Sequence, residues 1–217
     1  MENLSMIQTF SVWLLPVLFA ITVHEVAHGW LASKLGDKTA QVMGRLTLNP
    51  LKHIDIIGTI IVPAILLLIG GFVFGWAKPV PVNYHNLRHP RRDIALVALA
   101  GPAANLLMII IWALIGKLGS TLVHSGFSWA FAIFYMGQAG ILINSVLMVL
   151  NILPIPPLDG GRVLISLLPP KAALKVARVE PLGFFILVFL LATGVLSFIM
   201  QPIIMFILKS VSTLLNI

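Results

Sequence analysis

The chain carries no cysteine and few acidic residues, seven among 217. Without cysteine it has no disulfide framework and no thiolate metal site, so any metal must be held by imidazole and carboxylate. Charge of both signs is scarce, with Asp, Glu, Lys and Arg together making up 10% of the chain, where a soluble domain has about 25%. Apolar residues take their place at 59%, against roughly 45–50% in soluble chains. One soluble core of this length cannot hide so much apolar surface. That excludes a soluble globular enzyme and points to a polytopic protein in a lipid bilayer. The net charge of +7 does not mark a nucleic-acid binder, because the basic residues form no arm and no aromatic-interleaved patch. They sit in short loops between apolar runs, where positive charge marks the cytoplasmic side. No basic region precedes the first apolar run, so a cleavable signal peptide is not expected.

Five apolar regions stand out, at residues 4–35, 56–76, 94–115, 127–150 and 183–208. Each is long enough for a hydrocarbon core of ~30 Å, which takes about 20 helical residues. The second contains Pro63 and the pair Gly70–Gly71; the last contains Gly194 and Pro202 and is expected to kink or split. Loop charges set the orientation, with one conflict. Lys34, Lys38, Arg45 and Lys52 follow the first region, and Lys78, Arg88, Arg91 and Arg92 precede the third, so both loops want the cytoplasmic side. A broken hairpin over 56–76 that enters and leaves on one face resolves this; a plain span with one loop violating the charge rule is the alternative. Two stretches read as non-helical. "TAQVMGRLTLNP" (39–50) alternates and suggests a short hairpin or bulged strand, and "AKPVPVNY" (77–84), with two prolines, suggests an extended edge segment. The expected fold is a single all-α polytopic membrane domain over 1–217. It has five to six membrane segments, one a re-entrant hairpin, and small membrane-associated β-strands.

The first apolar region ends in "ITVHEVAHGW", which holds H-E-x-x-H as His24, Glu25 and His28. Residues four apart share a helix face, so both imidazoles can reach one metal, and the adjacent glutamate can take a proton from a water. With six histidines and three glutamates in the chain, chance occurrence of the motif is about 0.002. An unpaired charge at such a depth costs ~2.5–3.5 kcal/mol on the insertion scale, which a function must offset. A catalytic zinc needs a third protein ligand. The candidates are His53, His85, His89, His124 and the four aspartates, and Asp159 in "NILPIPPLDGGRV" stands apart as the first charge after a long uncharged run. Pro154, Pro156 and Pro157 force extended backbone before it, and Gly160–Gly161 allow a tight turn behind it. Capping a short helix over 160–168 is the other reading of Asp159, and both can hold at once.

H-E-x-x-H in the first helix, "GPAAN" (101–105) in a middle helix and "NILPIPPLDGG" (151–161) after a later one together resemble the site-2 protease family of zinc-dependent intramembrane metalloproteases. The resemblance implies one catalytic Zn2+ held by His24, His28 and Asp159, with Glu25 as general base. It implies that Asn151 positions substrate or stabilises the oxyanion. It further implies a transmembrane protein substrate, and the loop charges place the active site toward the cytoplasmic side of the cell membrane. The chain resembles the short, core-only members, without a PDZ-like insert or a nucleotide-sensing domain. Gly101 allows close helix approach, and Asn105 either orders the site, contacts substrate or makes a plain interhelical hydrogen bond. Asn144 reads as packing. His53 and Asp55 read as a pair behind the metal ligands or as a solvated loop pair, and Arg162 as an interface anchor. The 39–50 strands and the 77–84 segment could pair with an extended substrate. The rival readings are a zinc transporter, which would favour ligands spread along a path, and an inactive scaffold, against which the intact motif set argues.

Overall fold

The structure is a computed structural model that describes residues 4–62, 65, 68 and 75–216. Helix α1 (Met6–Lys34) starts at a capping box, in which Ser5 Oγ accepts from Gln8 N and Gln8 Oε1 accepts from Ser5 N. After a short helix α2 (Thr39–Val42), the chain makes a turn at Pro50–Lys52 and a π-helical turn at Ile56–Ile61. Helices α3 (Pro90–His124) and α4 (Ala130–Ile152) form an antiparallel pair, followed by α5 (Asp159–Leu167), α6 (Pro170–Ala177), α7 (Gly183–Ala192) and α8 (Val195–Leu215). Four of these, α1, α3, α4 and α8, are long and apolar enough to cross a membrane. Their outer faces carry large apolar side chains, with Phe10 at 66%, Phe206 at 72% and Phe198 at 82% exposure. A soluble protein does not present such a belt, and a bilayer covers it.

Small residues set the tight core. A Cβ on Gly137 would collide with the Gly116 backbone, one on Gly140 with the Trp112 ring, and one on Gly119 with the Phe134 backbone. Helices α3 and α4 therefore approach closely, where dispersion contacts and not water exclusion hold membrane helices together. Helix α8 packs antiparallel to α4. Leu196 and Met200 lie on Val149, while Ile207, Leu208 and Val211 reach the cluster of Met108, Ile109, Trp112 and Ile141. The last apolar region does split, at Gly194, whose φ of +75° is left-handed, whereas Pro202 sits inside α8 without ending it.

The expected strands over 39–50 are not there, and no strand occurs among the described residues. Local chemistry wins over the alternating pattern. Asp37 Oδ1 accepts from Thr39 N and from the Thr39 hydroxyl, which launches a helical turn. Gly44 (φ +63°) then closes it, with Arg45 N donating to Ala40 O and Gly44 N to Gln41 O, the bonding of a Schellman cap. The 77–83 stretch is extended as expected, but it bonds to helices and turns instead of a neighbouring strand.

The chain between α1 and α3 returns to its starting side, since Arg88 N, just before α3, donates to Leu35 O at the end of α1 (3.1 Å). The two ends of the 56–76 region also meet: Trp76 N donates to Gly58 O (3.0 Å), and the Thr59 hydroxyl to Trp76 O (2.9 Å). The expected break points, Pro63 and Gly70–Gly71, lie outside the described residues.

Asp37 anchors this junction. It is fully buried and accepts from Thr39, from Asn83 N (2.7 Å) and from Asn86 Nδ2 (3.0 Å). Burial pushes its carboxyl up, and the bonds from the Thr39 hydroxyl, the Asn86 amide and the two backbone N–H groups outweigh that, leaving it below the usual carboxylate range. A depressed folded-state value gives stability that is complete above the unfolded value near 3.9 and is lost as pH falls through the folded one. Asp37→Asn is therefore expected to cost about 1–3 kcal/mol at neutral pH, the penalty of burying unmatched polar groups. The gap to the wild type should narrow only below about pH 4. Thermal denaturation in detergent across pH 3–8 measures both, and a gap that stays constant to pH 3 would refute the ionised carboxylate.

Candidate active site

His24 and His28 lie one turn apart on the face of α1 that meets α3. Each ring is held from behind by an acceptor: His24 Nδ1–H donates to Asn105 Oδ1 (2.6 Å), and His28 Nδ1–H to Val97 O (2.7 Å). A neutral imidazole protonated at Nδ1 carries its lone pair on Nε2. Both Nε2 atoms point to one spot and lie 3.1 Å apart. Asp159 arrives there from the far end of the fold. A Cβ on Gly160 would strike the carbonyl oxygens of Ile152 and Leu153, and one on Gly161 the backbone of Ile155 and Pro156. The double glycine thus lets α5 fold back against the end of α4, and Arg91 Nη2 bonds Leu168 O to hold α5 on α3. Asp159 is the first residue of α5, with Leu158 at the capping position, and its carboxylate caps nothing. It faces the histidines instead, with Oδ2 3.2 Å from His24 Nε2 and 3.3 Å from His28 Nε2.

The donor set can be tested against a metal. Three electron-rich atoms, two imidazole lone pairs and a carboxylate oxygen, converge within 3.3 Å. Asp159 Oδ2 is buried and receives no hydrogen bond. Left alone these atoms repel; a cation between them reverses the sign of every pair interaction. Gly101 of α3 keeps the space open, because a Cβ there would sit 2.5 Å from His24 Cε1 and 2.6 Å from His24 Nε2 and would also strike His28 Nε2. Two nitrogens and one oxygen with a gap beside them suit zinc with a further ligand position.

Glu25, one turn before His28 on α1, is not one of the three converging donors and reaches the extended segment. Its Oε2 accepts from Val80 N (2.7 Å). Val80 lies between Pro79 and Pro81, so its N–H is the one donor in that tripeptide. The segment can lie this close because α1 has Gly29 beneath it, where a Cβ would come within 2.6 Å of both Val80 Cγ1 and Leu46 Cδ2. Arg45 clamps it from the other side, donating through Nη2 to Lys78 O (3.0 Å) and Pro79 O (3.3 Å).

Other expected site residues fall elsewhere. His53 is buried, not solvated, and Nε2 donates to Thr47 O (2.9 Å) while its carbonyl accepts from Lys78 N. Asp55 Oδ1 caps the π-helical turn by accepting from Gly58 N (2.7 Å). Both brace the base of the 56–76 region and make no bond to the metal cluster. Asn151 Nδ2 donates to Leu147 O within α4 (3.0 Å). Arg162 lies over the Tyr84 ring and 3.8 Å from Glu180. Asn105, in contrast, is at the centre, fully buried, with Nδ2 donating to Asn144 Oδ1 (2.9 Å) and Ala20 O (3.3 Å). Asn144 is thus more than the packing residue expected of it. The signal for it in the sequence is an amide inside an apolar helix, which demands a polar partner.

Known proteins resemble this chain in sequence. Residues 117–194, which include Asn151 and Asp159, match peptidase family M50. YwhC of Bacillus subtilis, which carries a zinc-metalloprotease name, is 40% identical over 191 residues, covering 86% of this chain and 82% of its own. Rip2 of Mycolicibacterium smegmatis, named likewise, is 34% identical over 83% of this chain and 66% of its own, and Rip2 of Mycobacterium tuberculosis 31% over 81% and 65%. The chain therefore spans about two thirds of the Rip2 length. No solved structure matches it with significance. The converging His24, His28 and Asp159 and the likeness to YwhC over most of both chains together place this chain in peptidase family M50, the site-2 protease family, as a membrane metalloprotease whose metal is zinc.

Proposed function

We propose that the chain is an endopeptidase that hydrolyses peptide bonds in or beside transmembrane segments of membrane-protein substrates, with its active site toward the cytoplasmic side of the cell membrane. The observation that carries this is the depth of the site. His24 is only 8% exposed and lies well inside α1, a helix of membrane-spanning length. Basic residues cluster at the end of α1 and the start of α3, the level nearest the site, which supports the orientation.

His24, His28 and Asp159 would hold the zinc, which when bound would supply Lewis acidity to water and to the scissile carbonyl. Glu25 takes the proton of the attacking water and delivers it to the leaving amine. Asn151 has a second Nδ2 hydrogen beyond the one it gives to Leu147 O, and that hydrogen serves the developing oxyanion or the substrate backbone. A substrate helix hides its peptide bonds and must open before it is cut. The 77–83 segment is already extended and crosses α1 at Glu25, so an unwound substrate can align along it by main-chain hydrogen bonding. Residues 39–44 are helix and turn, and Arg45 beyond them holds the extended segment through Lys78 O and Pro79 O.

The test is the purified protein in liposomes with a single-span substrate. Cleavage is expected within or at the edge of the span, to stop on chelation and to return on adding one equivalent of zinc. Cleavage that survives complete zinc removal, or cuts confined to a distant soluble tail, would overturn the proposal.

A further inference from the structure

We propose that Asn144 is a positioning residue for the metal centre: through Asn105 it fixes which way the His24 ring presents its lone pair. This deepens the zinc reading of His24, His28 and Asp159 and rests on it. Neither amide touches the metal cluster's ligating atoms, and Asn144 lies on a third helix, α4, behind the α1–α3 contact.

An asparagine side chain has two nearly isosteric orientations that swap donor and acceptor. For Asn105 the choice has chemical consequences. With Oδ1 toward His24, the imidazole must carry its proton on Nδ1, and Nε2 is free to ligate. With Nδ2 toward His24, the Nδ1 lone pair accepts, the proton moves to Nε2, and the ring can no longer bind a metal through that atom. Asn105 has one backbone restraint of its own, the long bond from Nδ2 to Ala20 O at 3.3 Å. The shorter bond, 2.9 Å, is to Asn144 Oδ1. Asn144 in turn donates through Nδ2 to Gly140 O at 2.8 Å. A backbone carbonyl can only accept, so the chain has a defined polarity from its root. Gly140 O selects the Asn144 orientation, Asn144 Oδ1 selects that of Asn105, and Asn105 Oδ1 selects the His24 tautomer. Both amides are fully buried, so water does not supply a substitute partner for a lost link.

Three substitutions separate this role from packing. Asn144→Leu keeps the branched shape, with a larger volume, and removes both bonds. Asn144→Ser keeps the bond to Gly140 O, as Ser145 already bonds Ile141 O in the same helix, but is too short to reach Asn105. Asn144→Asp is the rescue. A carboxyl in this apolar site stays protonated, and it can donate to Gly140 O while accepting from Asn105. The measurement is zinc affinity by competition against a chelator, on protein whose thermal unfolding is cooperative, with the visible spectrum of the Co2+-substituted site as a geometric readout. Loss of a partner behind a metal-ligating histidine weakens binding by about 10–100-fold, and that is expected for Leu and Ser with an altered Co2+ spectrum. Asn144→Asp should return to within about threefold of wild type, well inside that window. A packing role predicts changes in thermal stability with no selective loss of zinc affinity in the Leu and Ser variants that fold. Wild-type zinc affinity in folded Asn144→Leu or Asn144→Ser overturns the proposal; so does failure of Asp to restore what Ser loses. Cleavage is scored separately. A wild type that binds zinc but cuts no substrate defeats the protease reading and leaves the zinc comparison to decide this one.

Discussion

Glu25→Gln is expected to keep one equivalent of zinc and to lose cleavage by about 10²–10⁴-fold, the usual contribution of a positioned general base. The two halves of that result come from one piece of geometry. Glu25 is next to His24 in sequence, and its carboxylate accepts from Val80 N at 2.7 Å and is not one of the three converging donors. Glutamine at this position therefore removes no ligand from the metal. Glutamine retains an oxygen that can accept from Val80 N, so the extended segment stays where it is, and only proton transfer is removed. Glu25→Ala removes both. It should match Gln in turnover but also loosen the 79–81 stretch, which limited proteolysis or hydrogen exchange at Val80 would report. Zinc-loaded Glu25→Gln that retains more than about a tenth of wild-type turnover would exclude the general-base role.

The metal site was more legible in the sequence than the scaffold around it, for a physical reason. Ligand spacing on one helix is local information, so His24 and His28 could be paired from the 3.6-residue period alone. Asp159 is remote, yet it was conspicuous because a carboxylate after a long uncharged run needs an explanation. The Asn144–Asn105–His24 chain was not legible, since it depends on which faces of α1, α3 and α4 meet. The apolar pattern of α4 is nearly uniform around the helix and gives little indication of its inner face. The 39–50 error has another origin. Alternation indicates a strand only when a ladder partner exists, and here Asp37 and Gly44 satisfy the backbone locally. The "KPVPV" stretch was easier, because two prolines exclude helix without any knowledge of partners. The split of the last apolar region at Gly194 and not at Pro202 follows the same logic. A left-handed φ must end a helix, while a proline inside a membrane helix is tolerated.

Gly101→Ala is expected to lower zinc affinity by more than about 100-fold, beyond the range for a residue behind the ligands, in a protein that remains folded. Alanine is the better helix former by about 1 kcal/mol, so α3 itself gains from the change. The loss comes from space. The new methyl would lie 2.5 Å from His24 Cε1 and 2.6 Å from His24 Nε2, and against His28 Nε2 as well. A Cβ is fixed by the backbone and cannot rotate away, so either the rings or the helices must move. The helices are pinned on both sides of the site, by Asn105 Nδ2 to Ala20 O and by His28 Nδ1 to Val97 O. The rings can swing only by releasing Asn105 Oδ1 or Val97 O, and a ring that does so no longer aims Nε2 at Asp159. Metal analysis of the purified variant, alongside its thermal unfolding, reads both quantities. Gly101→Ala that holds zinc as tightly as wild type would mean that the three donors do not converge on the space this glycine leaves open. A folded variant without metal is the expected result, since the residue that weakens the helix is the one that makes room for the ion.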